Sequence, residues 1–408
     1  MEKHSDLSKR LTKSIDANEK KKNGIYFTPA TIIQKNIDAL KPYFSKIKTI
    51  LEPSCGSCEF MNYIDTQASN IEMTGIENNE MIYDEIKKIK FKNPTHILNT
   101  DFLEWSPAKK YDLIIGNPPY FVMKKDDVFA EYYDYFDGRP NIFTLFIVKS
   151  LHMLNQDGIL SFVLPKSFTN CLYYDKLRKY IMDKYSILQL IDCRDDSFIK
   201  TKQETILFIV QNTVKPDTKE NVKYMIHISN YTILNTPENI VKMRELYKDS
   251  TTLNKLNFSV CVGNVVWNQC KAILTDDTTK TRLIYSSDIV DSKLVVKEYT
   301  NKEKKNYIDK PGSTDVILVI NRGYGVGDYH FNYCMIDVDY PYLVENHLIC
   351  VKYCAQKTKP ELLQLYNNII QSLNNEKTTE FINLYFGNNA INTTELNYIL
   401  PIYITSTP

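Results

Sequence analysis

The stretch Tyr111-Asp-Leu-Ile-Ile-Gly-Asn-Pro-Pro-Tyr120 decides how the rest of the chain is read. Leu113, Ile114 and Ile115 form a short apolar run bounded by turn residues, the pattern of a buried strand in a parallel sheet. Pro118 and Pro119 end it, since each fixes φ and neither can donate to a ladder. The strand thus delivers the Asn117 amide, carbonyls that no ladder uses and the Tyr120 ring to its carboxyl end. In open α/β sheets that edge is where ligands bind. An amide oxygen and the Pro118 carbonyl can together accept both hydrogens of an –NH2 group, and Tyr120 can stack on a flat substrate. Read alone, the tetrapeptide is equally a strand closed by a rigid turn.

The residues upstream separate these readings. Thr49-Ile-Leu-Glu-Pro-Ser-Cys-Gly-Ser-Cys-Glu-Phe60 has an apolar entry, a turn of small residues and the start of a helix. That is the layout of a nucleotide-binding first βα turn, in which small residues admit a ligand close to the backbone. Gly56 is present, but Cys58 stands where a second glycine is expected, so dinucleotide binding is poorly supported. Cys55 and Cys58 form a CxxC; no second CxxC or nearby His pair completes a tetrahedral site, and no metal is expected. Met73-Thr-Gly-Ile-Glu77 reads as a second strand ending in an acid, spaced from the turn so that Glu77 can hold ribose hydroxyls. Ile97-Leu-Asn-Thr-Asp-Phe102 gives a third strand end, with Asp101 as an acceptor for an amino group and Phe102 to lie on a ring. Before them all, Ile32, Ile33, Ile37 and Leu40 have helical spacing, with Thr28 as N-cap and Pro29 as the first helical residue.

Composition bounds the rest. The 408 residues suffice for two or three domains, and a net charge of +1 announces no global attraction to nucleic acid. Nine cysteines without framework spacing fit a reducing compartment. No run of about twenty apolar residues predicts a membrane span. The start, Met1-Glu-Lys-His-Ser-Asp6, lacks a signal peptide's apolar core, so the cytoplasm is the expected location.

These motifs resemble those of S-adenosylmethionine-dependent amino-methyltransferases of DNA: the NPPY family of N6-adenine methylases in γ arrangement, of type II restriction–modification type. The resemblance covers about residues 23 to 214. Tyr26-Phe-Thr-Pro29 resembles the N-terminal cofactor motif, implying that Tyr26 and Thr28 contact S-adenosylmethionine. Leu51-Glu-Pro-Ser-Cys-Gly56 resembles the cofactor loop, with Glu52 near the methionine moiety and Ser54 and Gly56 in the turn. Glu77 then corresponds to the ribose-binding acid, Asp101-Phe102 to the adenine-binding pair, and Asn117-Pro-Pro-Tyr120 to the catalytic motif, with Asn117 facing cofactor and target alike. Asn141-Ile-Phe-Thr-Leu-Phe146 through Gly158-Ile-Leu-Ser-Phe-Val-Leu-Pro165 resembles the next helix and strand, with Phe146 beside the cofactor. Ser197-Phe-Ile-Lys-Thr-Lys-Gln203 resembles the segment whose aromatic, here Phe198, backs a flipped base.

The expected architecture is α/β: a Rossmann-like methyltransferase sheet with helices on both faces, plus a C-terminal mixed α+β target-recognition domain. Residues 1–22 read as a polar, basic tail, 23–214 as the catalytic domain, 215–236 as a linker and 237–408 as the recognition domain. In that last part Ile240, Met243 and Leu246 predict an amphipathic helix, and strand-like pieces follow at 282–285, 316–320 and 348–353. Arg322 and Tyr324, in a glycine-rich loop, are candidates to reach DNA, and Lys302-Glu-Lys-Lys305 is either solvated or set against phosphate. Phe386-Gly-Asn-Asn389 and Leu400-Pro401 resemble the close of such domains. The resemblance implies methyl transfer to N6 of an adenine flipped out of double-stranded DNA, with a separate cognate restriction endonuclease as possible partner and a single chain acting as a monomer. Alternative readings are a methyltransferase for protein glutamine or ribosomal-RNA adenine, and a degenerate methylase serving as a DNA-binding specificity subunit.

Overall fold

Leu113, Ile114 and Ile115 are wholly buried in a strand, and both faces of that strand are covered, which is why its apolar run is continuous. The computed structural model describes residues 4–193, 198, 203–322, 331–385 and 391–404. The chain divides into two compact units, Met1–Ile240 and Val241–Pro408.

The first unit is built on a seven-stranded sheet: β1 (Thr49–Glu52), β2 (Glu72–Glu77), β3 (Thr95–Asn99), β4 (Tyr111–Gly116), β5 (Leu154–Pro165), β6 (Ser186–Asp192) and β7 (Thr205–Gln211). Their order is β3-β2-β1-β4-β5-β7-β6, with β7 antiparallel to both neighbours and the other pairs parallel. Chain direction across the sheet reverses between β1 and β4, and that switch point opens a crevice at the strands' carboxyl ends. Ile114, Leu160 and Phe162 face one apolar layer; Leu113, Ile115 and Ile159 face the other. The sheet's helices include α3 (Ala30–Leu40), α4 (Glu59–Gln67), α5 (Glu80–Ile86), α6 (Ile142–His152) and α7 (Asp175–Lys184). Ile32, Ile33, Ile37 and Leu40 are all buried as their spacing predicts, but the helix starts one residue later than expected. Pro29 is its N-cap, and no side chain caps it.

Two expectations about the flanks are corrected. The stretch expected as a tail, residues 1–22, carries two helices among its described residues: α1 (Asp6–Ser14) and α2 (Ala17–Asn23) precede α3. Ser5 and Asp16 cap them, and Leu11 and Ile15 are each only 2% exposed. Ser8 Oγ lies 2.8 Å from Ser57 Oγ and donates to Glu59 Oε1 at 2.8 Å, which fastens α1 to the turn after β1. Leu7, Leu11 and Ile15 recur at helical spacing beneath a strongly charged composition, which is why charge alone misleads here. Nor is 215–236 a plain linker. Asn221 is buried, accepts from Ile187 N and donates to the Tyr185 carbonyl. The hairpin β8 (Met225–Ile228) and β9 (Tyr231–Leu234) is gripped by the buried Arg178, which donates to the Thr232 carbonyl at 2.6 Å.

The second unit is mixed α+β, as expected. Strands Phe258–Val262, Leu348–Tyr353, Ile317–Asn321 and Tyr333–Ile336 form one antiparallel sheet. Thr281–Ile284 belongs to a second sheet, where a fully buried Arg282–Asp288 pair at 2.8 Å fixes the turn that follows. The amphipathic helix spans Pro237–Leu246, so the division between units falls inside it, with Ile240 and Met243 fully buried. Trp267–Gln269 is a 3-10 turn, and the segment after Leu400-Pro401 pairs with Thr251 through one bridge at Ile402. Lys304 Nζ lies 4.1 and 4.0 Å from the Tyr285 and Tyr299 ring centres, and Lys305 bonds Asp276, so two lysines of that cluster are engaged within their own unit. Tyr324 and Phe386–Asn389 lie outside the described residues. Among the described residues no helix is long and apolar enough to cross a membrane.

Candidate active site

The carboxyl ends of β1, β2, β3 and β4, with the loops that follow them, meet at one crevice. There a cavity of about 420 Å³ is lined by Tyr26, Ser54, Gly56, Glu77, Asp101, Phe102, Asn117 and Phe146. These residues come from positions up to 120 apart in sequence and meet because the parallel strands all finish on the same side.

Glu77 is buried at the end of β2. Its Oε2 accepts from Gly56 N at 2.9 Å and its Oε1 from Asn79 N at 2.8 Å. The two amides hold the carboxylate in place and use one lone pair on each oxygen. Burial pushes its carboxyl pKa up, against the lowering effect of those amides. Gly56 takes φ 51°, a left-handed turn in which a Cβ would stand 3.5 Å from the Phe27 ring. Cys58 also adopts the left-handed region, at φ 59°, so the backbone makes the glycine-type turn although a cysteine occupies it. Cys55 and Cys58 are buried in the apolar layer behind the turn, and among the described residues no group of His, Cys, Asp and Glu is arranged to hold a metal ion.

Asp101 Oδ1 accepts from Leu103 N at 2.7 Å, and Phe102 packs against Phe146 with ring centres 4.9 Å apart. A flat group entering the cavity therefore meets an acid and two aromatic side chains together. Glu52 does not line the cavity. It sits 2% exposed beneath Gly116, whose added Cβ would meet the Glu52 Cγ at 3.4 Å, and its Oε2 has no hydrogen-bond partner among the described residues. Burial above all, then the nearby Cys58, Glu59 and Glu77, pushes the Glu52 carboxyl well above the usual range.

This gives a test of stability. A carboxyl whose pKa is raised by folding contributes stability below its unfolded value of 4.5 and loses it as pH rises through the folded value. Glu52→Gln keeps the shape without the charge. In the absence of cofactor it is expected to stabilise the protein at pH 8 by about 1 kcal/mol, a gain that shrinks toward pH 4. Thermal melting at both pH values checks this, and a variant no more stable at pH 8 would show that Glu52 ionises at no cost.

Asn117 is held at three polar atoms. Its Nδ2 donates to the Tyr26 carbonyl at 3.1 Å, its Oδ1 accepts from the Tyr120 hydroxyl at 2.6 Å, and its main-chain carbonyl accepts from Ser54 Oγ at 3.1 Å. Tyr26 thus acts through its backbone. Gly24, at φ 64°, packs so closely that a Cβ there would stand 2.6 Å from Tyr120 N. Tyr120 itself does not line the cavity: its ring is edge-on to Phe143, with centres 6.0 Å apart. Pro118 is buried, and Thr28 is buried behind the cavity wall. Phe198 lies in the apolar layer on the other face of the sheet from Tyr120, so the two aromatics are not brought together as the walls of one slot. Sequence reasoning passed over Gly24, Asn79, Pro119, Phe121 and Ile142, all of which line the cavity. Gly24 carried a signal, as a glycine closing a lysine-rich helix end.

The arrangement fits S-adenosylmethionine on the structure's own terms. The volume suits a small-molecule site, for which roughly 300–1,000 Å³ is usual. Glu77 offers two held carboxylate oxygens at the cavity wall. Strand order and antiparallel β7 are those of the α/β methyltransferase fold, and S-adenosylmethionine is the cofactor of the methylases whose family model the chain matches. Residues 25–199 match the model of the Eco57I restriction-modification methylases.

Curated relatives agree with the match. The chain is 26% identical over 349 residues to the type II methyltransferase M.CvrRI of Paramecium bursaria Chlorella virus XZ-6E, covering 85% of this chain and 87% of that one. It is 33% identical over 219 residues to the modification methylase CviBIII of Paramecium bursaria Chlorella virus NC1A, covering 51% of this chain and 54% of the relative. Of that second relative, then, the chain spans about half the length. The fold recurs in the DrdV–DNA complex with TM-score 0.54 and 12% identity, over 93% of this chain and 56% of the other.

Proposed function

We propose that the protein is a site-specific DNA methyltransferase of a restriction–modification system that methylates N6 of an adenine flipped out of duplex DNA. The observation that carries this reading is the orientation of Asn117. Its NH2 is committed to the Tyr26 carbonyl, so the amide presents an acceptor, and an acceptor selects an N–H donor as its guest. Among the described residues, no hydrogen bond is made to the Pro118 carbonyl, which leaves it as the second acceptor. An exocyclic adenine amine is a poor nucleophile because its lone pair is delocalised into the ring. Accepting both of its N–H bonds favours a more tetrahedral nitrogen, and holding it in place supplies much of the acceleration.

Glu77 would hold the ribose hydroxyls of the cofactor, Asp101 the amino group of its adenine, Phe102 and Phe146 the ring, and Glu52 the methionine end. Bound there, S-adenosylmethionine supplies an electrophilic methyl group. Tyr120 is the proposed platform for the flipped base; Phe198, in the apolar layer on the other face of the sheet, is not assigned to that slot. The second unit, residues 241–408, is the proposed reader of the target sequence, since glutamine-modifying relatives in the NPPY group usually lack such a domain. The names of the curated relatives, type II methyltransferases and a modification methylase, favour DNA over ribosomal RNA or protein.

Methyl transfer from labelled S-adenosylmethionine is to be measured on duplex DNA, ribosomal RNA and release-factor protein side by side. Single-molecule sequencing of DNA from cells expressing the protein would reveal N6-methyladenine within one motif. Transfer to protein or RNA alone would sink the proposal.

A further inference from the structure

Stacking on a base needs the ring of Tyr120 but not its hydroxyl, since a phenylalanine would stack as well. Yet the hydroxyl is fully engaged, with two acceptors in reach: Asn117 Oδ1 at 2.6 Å and the Val163 carbonyl at 2.8 Å. It has one proton to give. Because Asn117 Nδ2 faces the Tyr26 carbonyl, the atom facing Tyr120 is the amide oxygen, which can only accept. The Val163 carbonyl is present for a topological reason. Pairing of β4 with β5 stops at Gly116 and Phe162, where the prolines end β4, and the next residue of β5 bonds Tyr120 instead. Burial pushes the Tyr120 phenol well above its ordinary range, so it remains a donor throughout any assay.

We propose that the Tyr120 hydroxyl is the positioning group of Asn117: it donates to one lone pair of Oδ1, holding the amide plane, and leaves the other lone pair to the target amine. The Val163 carbonyl, the hydroxyl's second acceptor, keeps it beside Asn117 whether or not the target is bound. This rests on the reading of Asn117 as the acceptor for the target amine. The hydroxyl does not touch the reacting atoms and acts through Asn117 alone.

Tyr120→Phe keeps the ring and its edge contact with Phe143. It is expected to lower kcat roughly tenfold through a loosened amide, while KM for duplex DNA and cofactor affinity stay within about twofold of wild type. A purely stacking or structural Tyr120 would instead leave kcat unchanged in this variant, or raise KM along with any loss. Either result overturns the proposal. A second measurement needs no activity: thermal melting of wild type, Tyr120→Phe, Asn117→Ala and the double variant. If the hydroxyl acts through Asn117, Tyr120→Phe costs less stability in the Asn117→Ala background than in wild type. Additive costs refute it, including where Tyr120→Phe itself melts early. A wild-type protein that methylates no duplex sinks the functional reading and leaves the melting cycle to judge the hydroxyl. An active wild type beside an unimpaired Tyr120→Phe and an additive cycle sinks the positioning role alone.

Discussion

Asn117→Ala is expected to reduce single-turnover methyl transfer by roughly 10²–10³-fold, the scale seen when one preorganised polar group at a reacting centre is removed. The fold around it should survive, because the Ser54 bond goes to the Asn117 main chain and Gly24 still packs on the following peptide. Cofactor affinity is expected to move far less than the rate. The Tyr26 carbonyl and Tyr120 hydroxyl both lose their partner, but the hydroxyl can turn wholly to Val163. Rapid-quench measurement with labelled cofactor, alongside calorimetric titration of the cofactor, separates the two effects. Full turnover in the variant would refute Asn117 as the acceptor.

Glu77→Ala should act on the other half of the reaction. A carboxylate accepting from two hydroxyls makes charge-assisted bonds of about 1.5–3 kcal/mol each, so cofactor affinity is expected to fall by roughly 10²-fold or more. The same substitution strips Gly56 N and Asn79 N of their acceptor and loosens the turn. The pH dependence has a definite sign. Only the ionised acid accepts at both oxygens, and burial raises its pKa. Affinity should therefore decline as pH falls through that raised value, and Glu77→Gln should flatten the profile at a lower level. Unchanged affinity in Glu77→Ala would remove Glu77 from the cofactor site.

Much of this was legible because parallel strands announce themselves. Leu113–Ile115 could be read as a strand buried on both faces, and the acids at 77 and 101 fell at strand ends by spacing alone. The helix at 30–40 carried its own period. What escaped was whatever depended on a distant partner. Nothing in the local composition near Lys20-Lys-Lys22 reveals that Ser8 bonds Ser57 or that Glu19 holds Asn79. A helix stabilised by such contacts looks like a charged tail until the partner is in view. The same holds for 215–236, where a polar sequence with a proline hides Asn221, an amide that satisfies three main-chain groups of the first unit. Tyr120 was read as a stacking ring, since its hydroxyl's acceptors lie on its own tetrapeptide and on a strand more than forty residues away.

The docking of α1 and α2 also sets a schedule for biosynthesis. Ser8 meets Ser57, which is added to the nascent chain 49 residues later. Gly24 packs on Tyr120, whose codon is read later still. At ~5–20 residues per second, the ribosome takes roughly 5–20 s between Gly24 and Tyr120. During that interval Leu11 and Ile15 cannot meet the finished sheet, so α1 and α2 wait for strands made after them.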